Sequence, residues 1–167
     1  DLKRYFVPAD ARFILATVDV QSGIDARFVV EVRAFGVGLE SWLVDRYSIR
    51  TTVRNGDDAQ VDPAGYPEDW DLLTEKVVRS TYRLESGLEV RVKKVGVDTG
   101  GEDGTTSNAY AWMRRLRKAK LSDRVMLLKG ASKQPEKPMV RGFARDNRGK
   151  ALRDLPLWLI DTNYYKD

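Results

Sequence analysis

The sequence predicts an α/β domain built on a mixed five-stranded sheet flanked by helices on its faces, and three observations carry that expectation. Three strand-like runs at the start are separated only by short turns. Helix-like and strand-like segments then alternate. Finally, two of the strands, "LATVDVQ" and "VGVDTGG", each carry an aspartate toward the C-terminal end of an apolar run.

The first strand reads "FILATVDVQ", rich in β-branched and apolar residues, and "RFVVEVRAFGVG" follows after a turn at Ser22-Gly23. Its Val30, Val32 and Ala34 alternate with Glu31, Arg33 and Phe35, the period of a half-buried strand. After Gly36 and Gly38, "ESWLVDRYSIR" supplies the third strand of an antiparallel meander. Residues 51–67 are polar and turn-rich and read as a loop. "PEDWDLLTEKVVRSTYRL" reads as a helix, with Pro67 and acids at its start and Trp70, Leu73, Val77 and Thr81, with Leu72 and Val78, as its apolar stripe. "LEVRVKKVGVD" is the fourth strand. A second helix follows the glycines of "GGEDGTTSNAYAWMRRLRKAKL", with Ser107 or Asn108 as cap and Tyr110, Met113 and Leu116 facing inward. "RVMLLKG" is the fifth strand. Beyond Gly130 the periodicity fades, which predicts a long, mobile basic loop with room for a hairpin, and then "LWLIDTNYY" as a last short strand.

The order β-β-β-α-β-α-β is the ribonuclease-H-like arrangement, in which the first and fourth strands lie side by side in parallel. Asp19 and Asp98 then emerge as neighbours. Two carboxylates a few ångströms apart repel unless a cation sits between them, and a divalent metal is the natural occupant. Asp19 as a cap before Ser22-Gly23 and Asp98 as a turn residue in "DTGG" are the alternatives. Asp45 beside Arg46 reads as a salt-bridged structural residue, and Glu40 is similar. Glu102 and Asp103 are either supporting groups for a metal or a solvated loop. Asp161 can approach the same sheet edge, and Lys129, ending the fifth strand, can reach a phosphate near Asp98.

Composition narrows the chemistry. The 167 residues suit one domain, and no apolar run approaches the ~20 residues that span a bilayer. The chain has no Cys and no His, which excludes Cys or His nucleophiles, Ser-His relays and Cys/His zinc sites. Carboxylates alone favour hard cations, Mg²⁺ or Mn²⁺. Between Arg114 and Asp154 there are fourteen Lys or Arg against four acids, so a polyanion-binding segment stands beside an acidic remainder. Within it, Arg114, Arg115, Arg117, Lys118, Lys133, Arg141 and Arg145 are the candidate DNA-binding residues; a solvated basic helix and loop is the alternative. "GFARDNRGKA" lacks the Walker A spacing, and "GVG" at 36–38 lacks a third glycine, so no nucleotide-binding signature is present.

"LATVDVQ", "GLESWLVDRYSI", "VGVDTGG", "LLKGAS" and "LIDTNYYKD", in that order, resemble the C-terminal nuclease domain of lambda-type phage terminase large subunits. The resemblance implies a metal-dependent endonuclease that cuts concatemeric double-stranded viral DNA in the cytoplasm of an infected bacterium. It implies that Asp19 bridges two metal ions, that Asp98 holds one, and that Lys129 lies near the reaction. One ion would activate water and the other would stabilise the departing 3′ oxygen. The family usually adds an acid from a helix near the C-terminus. Here Asp161 or Asp167 substitutes, or that region lies outside this fragment, as does an upstream ATPase domain. The implied partners are DNA, the small terminase subunit and, through the full-length protein, portal and procapsid; no membrane is involved. Another ribonuclease-H-like nuclease, such as a junction resolvase, and a catalytically silent DNA-binding or motor-docking module are the competing readings.

Overall fold

The computed structural model describes residues 6–133 and 135–164. Strands β2 (Phe13–Gln21), β3 (Arg27–Phe35) and β4 (Ser41–Ile49) form the expected antiparallel meander. Its register pairs Ile14, Ala16, Val18 and Val20 with Ala34, Val32, Val30 and Phe28, so one face of both strands is wholly apolar and buried. Strand β9 (Lys94–Asp98) lies parallel to β2, and β10 (Val125–Gly130) lies parallel to β9.

The sheet does not stop at five strands. β12 (Ala151–Ile160) runs parallel to β10, and β11 (Met139–Arg145) pairs antiparallel with β12, giving seven strands in the order β11-β12-β10-β9-β2-β3-β4. The segment expected as a long basic loop with room for a hairpin does contain one, and its strands join the main sheet. Its turn is built by Asp146, whose Oδ1 accepts the Arg148 and Lys150 amides, with Gly149 at φ +78°. Pro156 fits because β12 pairs with β10 only from Trp158 onward.

Two smaller pieces also differ from expectation. Residues 51–67 carry a ribbon of β5 (Thr51–Arg54) and β6 (Asp57–Gln60), turned by Asn55 and Gly56 at φ +53° and +88°. The first helix is short. A 3₁₀ turn (Pro67–Trp70), an α turn α1 (Asp71–Leu73) and a π turn (Thr74–Val78) end there, and the remainder becomes β7 (Thr81–Leu84). β7 pairs with β1 (Phe6–Val7) and with β8 (Glu89–Arg91), so the run expected as one fourth strand is split between two sheets.

The second helix, α2 (Thr105–Lys118), forms as expected but is capped by Gly104 rather than by a side chain. Ser107 and Asn108 sit inside the first turn, where Asn108 donates to the carbonyls of Pro63 and Ala64. Ala109, Trp112, Met113 and Leu116 face the core, with Tyr110 partly buried. Phe28 of β3 meets Trp70 edge-on at 5.4 Å, Trp70 meets Trp112 at 5.7 Å, and Trp112 Nε1 donates to Thr74 at 2.9 Å. Both helical segments thus cover the same apolar sheet face, not both faces. On the opposite face Thr17, Asp19 and Asp98 stay exposed.

Candidate active site

The parallel register of β2 and β9 runs Leu15–Lys94, Ala16–Val95, Thr17–Gly96 and Val18–Val97. One position further come Asp19 and Asp98, on adjoining strands and on the uncovered face. Neighbouring strands lie ~4.8 Å apart, so the two carboxylates share one small region of space. The expected juxtaposition is present.

Each aspartate is held differently. Asp19 stays in the ladder, opposite Val29 of β3, and accepts a hydrogen bond from Gln21 Nε2 at 2.9 Å. It is not a turn cap. Asp98 ends β9 and lines the groove, and its Oδ1 accepts the Gly100 amide at 2.9 Å, so it also shapes the following turn. Thr99 locks that turn: it is fully buried, its amide and hydroxyl both donate to the Leu128 carbonyl of β10, and its own carbonyl accepts from Thr106 of α2. Thr99 is thus the residue that fixes where Asp98 stands. Among the described residues, neither aspartate forms an ion pair with Lys or Arg.

The groove holding them has a volume of about 400 Å³ and is lined also by Thr17, Glu31, Arg46, Gly96, Leu128 and Lys129. Glu31 and Arg46 follow from register, since Thr17 pairs with Glu31 and Glu31 with Arg46 across three strands. Glu31 accepts Arg33 Nε at 2.6 Å. Sequence reading marked neither Glu31 nor Arg46 as functional, although Glu31 interrupts an apolar strand. Gly96 packs closely: a Cβ there would lie 3.0 Å from Leu128 Cδ1, whose tip would have to give way.

Asp45 does not join this groove. A bulge in the β3–β4 ladder beside it turns it to the buried face, where Tyr82 Oη donates to it at 3.3 Å. Lys129, exposed at the end of β10, borders both this groove and a larger one of about 1,220 Å³. Asp161 follows β12, is buried, and accepts the amides of Asn163 and Tyr164 through Oδ1. Its flanking residues Ile160 and Thr162 line the aspartate groove, whereas Asp161 itself does not. Asp167 lies outside the described residues. Glu102 and Asp103 line the larger groove.

The candidate DNA-binding residues divide. Arg114 pairs with Asp154 at 2.8 Å, Arg117 donates to the Asp154 carbonyl, and Arg115 reaches Asp71 and the Pro67 carbonyl, so α2 uses these arginines to clasp its neighbours. The Arg114 hydrogen bond holds the Asp154 carboxyl below its usual range. Lys118 is exposed. Lys133 and Arg145 line the larger groove with Arg148, and Arg141 lies on edge strand β11.

The donor set suits a hard cation. Mg²⁺ is commonly held by one or two carboxylates, with waters and substrate phosphates completing its shell, and Asp19 and Asp98 offer such a pair, with Arg46 and Lys129 lining the same groove. Among the described residues, no cluster of three or more Asp, Glu, His or Cys could hold a metal. No described helix is long and apolar enough to cross a membrane.

Comparison with known proteins places the chain in a family. The chain is 31% identical over 103 residues to the terminase large subunit of Escherichia phage lambda, an alignment covering 62% of this chain and 14% of that protein. No solved structure matches. The family model described as "Terminase large subunit gpA, endonuclease domain" matches residues 1–167, and the chain belongs to that family.

Proposed function

We propose that this chain is a divalent-metal-dependent endonuclease that cuts concatemeric double-stranded viral DNA during genome packaging. The observation that carries the reading is the pair Asp19 and Asp98, at adjoining positions of parallel strands on the uncovered sheet face. Family membership supplies the reaction class. The five strands counted from the β4 edge, β4-β3-β2-β9-β10, support a ribonuclease-H-like reading of the sheet, with β12 and β11 lying beyond them.

Asp19 and Asp98 are the groups that would hold Mg²⁺ or Mn²⁺. Held there, such ions would supply the chemistry of two-metal phosphodiester hydrolysis, a more acidic attacking water and a stabilised departing 3′ oxygen. The chain's own residues do the rest. Gln21 and the Gly100 amide keep the two carboxylates oriented, and Thr99 fixes the strand end that carries Asp98. Lys129, at the border of two grooves, draws a backbone phosphate toward the acids. Lys133, Arg145 and Arg148 continue that positive border and contact phosphates without reading sequence, so binding is salt-sensitive. Site choice then belongs to a partner, the small terminase subunit. Portal, procapsid and ATPase functions would come through a full-length protein in the host cytoplasm.

The test is cleavage of supercoiled plasmid by the chain with Mg²⁺ or Mn²⁺. Nicking that disappears in EDTA and in Asp19→Asn and Asp98→Asn, with fold and DNA binding retained, is the expected result. Cleavage that survives both substitutions removes the site. DNA binding with no metal-dependent cleavage leaves the silent DNA-binding module.

A further inference from the structure

The row of residues that contains Asp98 continues outward across the open face. Asp98 pairs in register with Leu128 of β10, Leu128 with Trp158 of β12, and Trp158 with Arg141 of β11. In-register partners project to the same side of a sheet, so Trp158 and Arg141 share the face of the aspartates. At ~4.8 Å per strand, Trp158 stands ~10 Å from Asp98, and Arg141 ~14 Å.

Around Trp158 the hairpin builds an alternating ladder of rings and guanidiniums. Arg141 Cζ lies 6.0 Å from the ring centroids of both Trp158 and Phe143, and Arg153 Cζ lies 4.9 Å from that of Phe143. Arg141 and Arg153 are exposed, the two rings are partly buried, and no acid belongs to the ladder. A core has no use for two exposed cations stacked on rings that still reach the surface. A flat surface of aromatic faces and delocalised cations is, however, what stacks with nucleobases and holds the phosphates between them. Bases in a duplex present no free faces except at ends and openings. The ligand chemistry is therefore an unpaired strand.

We infer that Trp158, Arg141, Phe143 and Arg153 form a stacking platform for unpaired DNA bases one or two nucleotides from the phosphodiester held at Asp19 and Asp98. The inference rests on the proposed nuclease reading for its neighbour, but its test does not need cleavage. The platform holds one strand beside the reacting phosphate and favours sites where the duplex is open.

The test is equilibrium binding of a fluorescein-labelled 12-nucleotide oligothymidine, and separately a 12-base-pair duplex, to the 167-residue chain in EDTA. Trp158→Leu and Phe143→Leu keep apolar bulk and remove the ring; thermal melts confirm the fold. Each is expected to weaken oligothymidine binding by about tenfold and duplex binding by less than about twofold. Trp158→Phe keeps a ring and most of the affinity. Variants that bind oligothymidine like the parent overturn the platform, and so does an equal loss on both ligands, which is the mark of phosphate contact alone. A chain that binds oligothymidine through these rings yet never cleaves DNA would keep the platform and sink the nuclease, so the two failures are separable.

Discussion

Replacing Asp19 by Asn in metal-free protein should raise stability, against the usual direction of a substitution at a ligand. The reason is the strand register, which brings Asp19 and Asp98 to adjoining positions, neither of them ion-paired with Lys or Arg among the described residues. Two unit charges ~4.8 Å apart repel by about 0.9 kcal/mol in water, the right dielectric for an open groove. Asparagine keeps the Gln21 hydrogen bond and removes the repulsion. For a domain of this size 1 kcal/mol moves Tm by about 2–4 °C, so Asp19→Asn should melt about 1–4 °C higher in EDTA and low salt. At 0.15 M salt the Debye length of about 8 Å screens much of that difference. Manganese should reverse the order. At a hundred times its Kd, Mn²⁺ adds about 2.7 kcal/mol to the parent, or about 5–11 °C, and much less to the variant. The assay is differential scanning fluorimetry with and without Mn²⁺. An Asp19→Asn protein that melts at or below the parent in EDTA, and gains as much from Mn²⁺, would refute the reasoning.

Other outcomes follow from the scaffold. Asp69 is fully buried and ion-paired with Arg54, which stacks on Tyr66 at 3.6 Å; Arg54→Ala strands that carboxylate and should cost about 3–5 kcal/mol by urea denaturation. Gly104 caps α2 at φ +97°, and a Cβ there would sit 2.5 Å from the Ala64 carbonyl oxygen, so Gly104→Ala should lower stability by more than about 1 kcal/mol in the same assay. Asp154 has a depressed pKa through Arg114, so its stabilisation is present above the unfolded carboxylate pKa and is lost as pH falls through the folded value. The stability gap between parent and Asp154→Asn should therefore be open at pH 6 and close on acidification below about pH 4, measured by urea titration at each pH. Lys129→Met should reduce plasmid nicking by at least tenfold while leaving the melting temperature within about 2 °C.

The central sheet was legible because Ile14, Ala16, Val18 and Val20 alternate with polar residues, and because parallel pairing of "ATVDV" with "VGVD" follows from the order of elements. The same logic brought Asp19 and Asp98 together. The outer strands were obscured because β11 turns inward with Val140, Gly142 and Ala144, residues too small to mark an apolar period, between Arg141, Phe143 and Arg145. Yet Asp146-Asn147-Arg148-Gly149 is ordinary turn chemistry, and Asn55-Gly56 is a strong hairpin signal that the polar surroundings masked. "STYRL" continues the helical stripe on paper, but the π turn at Thr74–Val78 ends that helix and frees Tyr82 to reach Asp45. Arg114, Arg115 and Arg117 were marked for DNA on charge alone, because sequence gives charge without partners; Asp154, Asp71 and the Pro67 carbonyl, which they also hold, come from elsewhere in the fold. Glu31 and Arg46 needed register, which composition does not encode.

The most direct test of the account is a crystal structure grown with Mn²⁺, the ion located by its anomalous signal. A peak between Asp19 and Asp98, with a carboxylate oxygen of each at about 2.0–2.3 Å, is the result expected. Both carboxylates ordered without a peak at saturating Mn²⁺, or a peak held by other residues, would contradict it and leave the endonuclease without its centre.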